Sequence, residues 1–298
     1  MLFQTMKKLS LIIGVVAIFA SCNNESDTNT KSVQLAPVHV QINDFDVSVE
    51  SMAPTRAARP VEGFNNVQAV TLAFYAGDTE VYKTTQYRGA SLGEGETFGQ
   101  VDLSLPLGSY TMVALAYGFQ DGDVLTLTSP TLAAYTGAHT RETFAATQTV
   151  NIANTTPVNL NATLNRIMAK VDVNSTDGRP SEASSVRVTF SAGSKSFNPT
   201  TGLAVGNAGF SNELSISKNV GEQTKTGSYV FLATDEQTVD VTIEVLNSGG
   251  TAIFTKQVTN VPLKRNRLTT LTGAMYTNKG NAAFSVNATW EPNDTINF

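Results

Sequence analysis

Short runs in which apolar and polar residues alternate one for one recur along almost the whole chain, and this pattern limits its fold more than any other feature. Val38, Val40 and Ile42 alternate with His39 and Gln41, and Phe45, Val47 and Val49 resume the pattern after Asn43 and Asp44. Val70, Leu72 and Phe74 repeat it, then Val101, Leu103 and Leu105, then Val158, Leu160, Ala162 and Leu164. Neighbouring side chains of a strand point to opposite faces, so this period packs one face and wets the other, as in antiparallel sandwiches. A second series starts at Arg166, with Ile167, Ala169, Val171 and Val173, and continues through Val186, Val188 and Phe190 and residues 229–233. Val239, Val241, Ile243 and Val245 then alternate with Asp240, Thr242 and Glu244, and residues 268–276 with Phe284, Val286, Ala288 and Trp290 close the set. Gly77-Asp78, Asp177-Gly178 and Pro106-Leu107-Gly108 read as turns, and Ser248-Gly249-Gly250 as a hairpin connection. Only residues 131–147 leave room for a short helix. No fixed repeat of about 20–50 residues appears, which excludes a solenoid or propeller.

The two series meet near residues 161–165 without a long linker. The expected class is therefore all-β, with two β-sandwich domains in tandem, residues 37–163 and 164–298. Charged residues make up 15% of the chain, below the usual ~25%, which suits polar turns between strands better than helices.

Ahead of the first series, Lys7 and Lys8 precede an apolar run, residues 9–20, and small Ala20 and Ser21 lead into Cys22, the only cysteine. This is the layout of a secretory signal, with Met6 the tidier start. The run is too short to cross a bilayer core, which needs ~20 residues. Phe19-Ala20-Ser21-Cys22 resembles a lipobox, with Phe19 where Leu is usual. It implies a signal peptide over residues 1–21, cleavage between Ser21 and Cys22, and acyl chains on Cys22. The alternative, an incidental thiol in an ordinary signal, would leave a free exported thiol, which is uncommon. Residues 23–30 carry no hydrophobic side chain, so residues 22–36 read as a flexible tether. Loss of Lys7 and Lys8 takes the formal charge from −5 to −7, so a nucleic-acid partner is excluded.

Nothing in the sequence composes an enzyme, a metal site or a cofactor site. His39 and His139 read as surface histidines, and no nucleophile elbow, metalloprotease helix or phosphate loop is present. Gly93-Glu94-Gly95 connects strands without a following helix, and Asp121-Gly122-Asp123 lacks the glutamate of a calcium loop and reads as a turn. For a glycan-binding alternative, the available aromatics are Tyr75, Tyr82 and Tyr87, since the alternation turns Trp290 inward.

Several local sequences resemble the fimbrillin and fimbrial-anchor lipoproteins of anaerobic Gram-negative bacteria. They are Leu105-Pro106-Leu107-Gly108-Ser109-Tyr110-Thr111, similar to an L-P-x-G-x-Y hairpin, Leu164-Asn165-Arg166-Ile167-Met168-Ala169-Lys170-Val171, and the P-x-x-R-N-x-x-T-x-L-x-G pattern running from Pro262 to Gly273. The resemblance implies two transthyretin-like Greek-key sandwiches and a non-enzymatic role in building or anchoring surface filaments that support adhesion. In polymerising members a trypsin-like protease removes the first strand, and the groove accepts a strand from a neighbouring subunit. The matching parts here are the strand-like residues 38–49 and the loop of residues 52–61. Pro60 blocks a cut after Arg59, so Arg56-Ala57 is the expected processing site, and a cut there would separate Cys22 from the rest. The implied partners are other fimbrial subunits by donor-strand insertion, the outer membrane through the lipid, and a host or bacterial surface receptor. Asp294-Thr295-Ile296 resembles an O-glycosylation site of such bacteria. The alternative function is a monomeric surface lipoprotein that binds glycans.

Overall fold

Within the residues that the computed structural model describes, 33–46, 64–90, 92, 97–119, 122–137, 139–277 and 284–287, the alternating runs become strands. The first half supplies β1 (Leu35–Asp46), β2 (Ala69–Ala76), β3 (Thr79–Tyr87), β4 (Gln100–Pro106), β5 (Gly108–Tyr117), β6 (Leu125–Ser129), β7 (Leu132–Tyr135), β8 (Thr143–Ile152) and β9 (Val158–Arg166). The second supplies β10 (Ala169–Gly178), β11 (Ser185–Phe190), β12 (Ser196–Asn198), β13 (Leu203–Ala204), β14 (Phe210–Ser215), β15 (Gln223–Val230), β16 (Glu236–Leu246), β17 (Ala252–Lys264), β18 (Leu268–Gly273) and β19 (Ser285–Asn287). No helix occurs among the described residues.

Seven strands of the first half form one sheet in the order β3-β2-β5-β8-β9-β1-β4. Val40 of β1, Leu72 of β2, Val101 of β4 and Leu160 of β9 share one core, so the sheet curls over and packs on itself. Its two edges are latched by a side chain in place of a backbone ladder. Gln86 of β3 donates through Nε2 to the Gln100 carbonyl and accepts from the Gly99 N–H, both at 2.8 Å. In the second half the sheets β15-β10-β18-β19 and β14-β11-β16-β17 enclose a separate core, with Val171 and Leu271 facing Val188 and Ile243. Each half contains one parallel pair, β1 with β9 and β10 with β18.

The expectation of one wet face fails for β2 and β5. Ala73 and Tyr75 of β2 and Val113 and Leu115 of β5, on the face opposite the first core, are buried in a third cluster with Leu127, Ala133 and Tyr135 from β6 and β7 and with Phe197 and Phe231 of the second half. Phe197 stacks on Phe231 at 4.3 Å between ring centroids. Above them β7 pairs with β12, Phe197 opposite Ala133, so the sheet β13-β12-β7-β6 draws two strands from each half. This pairing also fills the room left for a short helix within residues 131–147, where β7 and the start of β8 stand. Hydrogen-bonded partners on both sides of β7 override a weak local preference.

Other local readings meet the structure residue by residue. The hairpin at Ser248-Gly249-Gly250 is present, with Gly250 at φ 78° and the Asn247 carboxamide oxygen accepting from the Gly249 and Thr251 N–H groups at 3.0 Å. Asp177-Gly178 is not a turn but the end of β10, where Asp177 accepts the Met275 and Tyr276 N–H groups at 2.8 and 2.9 Å. Leu105–Tyr110 is likewise no hairpin. β4 pairs with β1, whereas β5 pairs with β2 and β8, so the chain turns a corner between layers. Tyr110 fastens that corner by donating to the Pro106 carbonyl at 2.8 Å. Gly108 leaves the room, since a Cβ there would stand 3.2 Å from the tyrosine oxygen.

β9 continues through the expected division at residues 163/164 and ends at Arg166. The Arg-Asn motif closes on that end. Asn266 adopts φ 58° in the turn between β17 and β18, donates its N–H to the Met168 carbonyl at 2.8 Å, and accepts from Arg166 Nη1 at 3.0 Å. Arg166 also pairs with Glu142 at 2.6 Å, both side chains about nine-tenths buried. Nearby, Asp123 turns its carboxylate inward, where it accepts from the His139 N–H at 3.0 Å and from Arg141 Nε at 2.7 Å. His139 is therefore not a simple surface histidine: its Nδ1 stands 3.1 Å from Asp123 and its Nε2 meets the Glu213 carbonyl of the second half.

Burial by itself would raise the Asp123 pKa, but hydrogen bonds and charge from Arg141, together with the His139 contacts, outweigh it and hold the carboxyl below its usual value. A depressed folded pKa contributes stability that is complete above the unfolded value of about 3.9 and drains away as pH falls toward the folded one. Asp123→Asn is expected to cost about 1–3 kcal/mol at pH 7 in urea unfolding, with the deficit shrinking below pH ~4. Tyr110→Phe is expected to cost about 0.5–1.5 kcal/mol in the same assay, through loss of the corner hydrogen bond.

Candidate functional site

β1 is the element whose position invites a function. Its residues Pro37, Val38, His39 and Val40 lie opposite Ser104, Leu103, Asp102 and Val101 of antiparallel β4. On its other side Val38, Val40 and Ile42 lie opposite Val158, Leu160 and Ala162 of parallel β9. The register then slips between Ile42 and Asp44, which leaves Asn43 as an extra residue. This bulge is the physical form of the phase change seen in the sequence, where the apolar period skips a residue between Ile42 and Phe45.

Ala36, Val38, Val40 and Ile42 are buried in the first core, whereas His39 faces outward and meets Asp102 at 2.5 Å on the wet side. β1 is thus a plug of alternating small and medium aliphatic groups with a polar back. Withdrawn, it would leave unpaired ladders on β4 and β9 beside the core that holds Val101, Leu105, Leu160 and Leu164.

The chain re-enters the described region at Phe64, and there Arg88 of the β3 end pins it. Arg88 Nε donates to the Val67 carbonyl at 2.6 Å and Nη2 to the Phe64 carbonyl at 3.0 Å, with the guanidinium 4.7 Å over the Phe98 ring. Sequence reading did not find Arg88 or Gln86, because both act on backbone atoms that only the curled sheet brings near. Ser21, Cys22, Arg56 and Ala57 lie outside the described residues, as do Trp290 and Asp294-Thr295-Ile296.

The tyrosines weighed for a sugar platform do not form one. Tyr75 is fully buried, and burial, reinforced by the Glu80 charge, pushes its phenol up to about 12. Tyr82 packs edge-on against Phe74 at 6.4 Å. Tyr87 alone of the three is exposed, beside Phe119 at 5.0 Å. Among the described residues no three His, Cys, Asp or Glu side chains stand together as a metal site would require.

Solved structures similar to this chain include fimbrial and adhesin-type proteins of Bacteroidetes, as the sequence motifs implied. A candidate adhesin of Bacteroides ovatus shares the fold, with a TM-score of 0.50 and 10% identity over 80% of this chain and 89% of that one. The fimbrial anchor protein Mfa2 of Porphyromonas gingivalis aligns over 85% of this chain and 95% of its own, at 12% identity and a TM-score of 0.45. The tip fimbrial protein Mfa3 of the same organism, with a C-terminal truncation, aligns over 85% and 99%, at 13% identity and a TM-score of 0.39. No protein of curated function matches the sequence. The sequence pattern of a family described as of unknown function, DUF6562, matches residues 39–297, and the chain belongs to that family.

Proposed function

We propose that this chain is a non-enzymatic cell-surface protein of the fimbrial and adhesin type, which joins other subunits by strand exchange at the β1 groove. The carrying observation is that β1 alone bridges β4 to β9, so the N-terminal strand fills a groove that another strand would fit. The fold it shares with a candidate adhesin of Bacteroides ovatus supports the same reading. Residues 37–163 and 164–298, divided within β9, then serve as tandem sandwich domains.

In this reading Cys22 carries the acyl chains that tether the protein to the outer membrane, and Arg56-Ala57 is the point at which β1 is released. Multiple acyl chains hold durably where one is marginal, at about 0.8 kcal/mol per buried methylene. After a cut at Arg56 the chain from Phe64 onward stays seated, because Arg88 holds the carbonyls of Phe64 and Val67. Uncut, the chain keeps both its lipid and its plug and acts as an anchor. Cut, it acts as a stalk subunit and presents an open groove to the next strand.

Two measurements check this. An Arg-specific protease is expected to yield a chain starting at Ala57 that assembles into ladders on light scattering and native gels, while Arg56→Ala stays monomeric. A trimmed chain that remains monomeric with β1 removed would end the strand-exchange reading. Separately, Cys22→Ser is expected to move the protein from the membrane to the soluble fraction, and continued membrane partition would remove the lipid anchor.

A further inference from the structure

Where the halves meet, an open cleft of about 650 Å³ is lined from both sides, within the range of ~300–1,000 Å³ typical of small-ligand sites. One wall is the outer surface of β8 and β9, with Thr147 and Thr163. The other is formed by the turns between β15 and β16 and between β17 and β18, and the turn between β12 and β13 closes the back. Thr163 and Asn165 also stand opposite Asp44 and Asp46 of β1, but the basic residues of the cleft have no partner in that ladder, so the charge argument does not rest on strand exchange.

Its charge is opposite to that of the molecule. Arg166, Lys264, Arg265 and Arg267 line it against two carboxylates, Asp235 and Glu236. With Arg166 already paired to buried Glu142, one cationic charge is left over, in a chain whose formal net charge is −5. The carboxylates also stand at the rim. The Asp235 and Glu236 side chains are 67% and 63% exposed, against 31% and 38% for their partners Arg265 and Lys264. Ion pairs this exposed contribute only ~0–1 kcal/mol, so an arriving anion displaces a rim carboxylate at little cost.

The guanidinium groups, by contrast, are held in place from behind. Arg265 Nη1 donates to the Thr201 carbonyl at 2.8 Å, and Arg166 is fixed by Asn266 and Glu142. Gly202, at φ 70°, admits the Arg265 head, because a Cβ there would stand 2.8 Å from Nη1. A pre-positioned guanidinium fork matches a carboxylate and loses little freedom on binding. The remaining lining is threonine hydroxyls, the amides of Asn165 and Asn266, and Ala, Gly, Pro199 and Ile167, with no aromatic ring. A ligand polar on every side suits it better than a peptide with hydrophobic anchors.

We infer that the cleft between the halves binds the carboxylate of an acidic saccharide, a glycan chain bearing uronic acid, with Arg265 as its principal contact. Isothermal titration calorimetry of the full chain with trigalacturonate is expected to show saturable binding, at least ~10-fold tighter than neutral galactotriose. Arg265→Gln is expected to weaken it about 10- to 100-fold, the loss of one charge-assisted hydrogen bond. Asp235→Asn removes the rim competitor and leaves Arg265 on Thr201, so binding is expected to tighten about two- to fivefold, a gain that a purely structural arginine would not produce. The Asp235→Asn arm stands even if Arg265→Gln does not fold. Equal binding of galactotriose, binding of a hexaglutamate peptide in preference to the saccharide, or no tightening in Asp235→Asn would each overturn the assignment.

Discussion

Every backbone ladder that ties β4 to the rest of the seven-stranded sheet runs through β1. Buried backbone groups must be paired, so the first half exists as a closed unit only while some strand occupies that slot. β1 meets the requirement with backbone on both edges, aliphatic groups on one face and His39 on the other. The slot specifies a strand and an apolar period, and neither condition requires that the strand come from the same chain. The second half contains the same arrangement without the same freedom. β10 lies between antiparallel β15 and parallel β18 much as β1 lies between β4 and β9, but it is tied covalently at both ends inside the fold.

The junction of the halves follows from a different demand. β2 and β5 carry apolar groups on both faces, and the outer one must be covered. β6 and β7 cover part of it, and Phe197 and Phe231 from the second half complete the layer. Relative motion of the halves would break the β7 to β12 ladder and unstack these rings. The clasp of Arg166, Glu142 and Asn266 sits beside this layer, where a charge left unpaired would cost several kcal/mol. The cleft above it therefore keeps its shape, and its arginines stay aimed without a ligand.

Much of the strand content was legible because a one-residue period has one structural meaning, and even the bulge at Asn43 showed as a skipped beat. The motifs were legible as motifs but not as geometry. Leu105–Tyr110 reads as a hairpin from its turn residues, yet the glycine makes room for a tyrosine hydroxyl at a corner between layers. The Arg-Asn pattern carries no local sign that its asparagine reaches a strand of the other half. Residues 131–147 left room for a helix because their Ala and Tyr content is ambiguous, and pairing partners far along the chain decided the matter. Asp123 and His139 looked like turn and surface residues for the same reason.

The sequence by itself determined that this chain is built of strands, where most of them begin and end, and which side chains of each face a core, since alternation is a local property of the backbone. It also placed a lone cysteine after an apolar run, ahead of the described fold. Only the tertiary structure decided which strand lies beside which, that β2 and β5 are covered twice, and that charged side chains from both halves converge on one cleft. Those outcomes depend on contacts between residues tens to a hundred positions apart, and no short-range pattern encodes such distances.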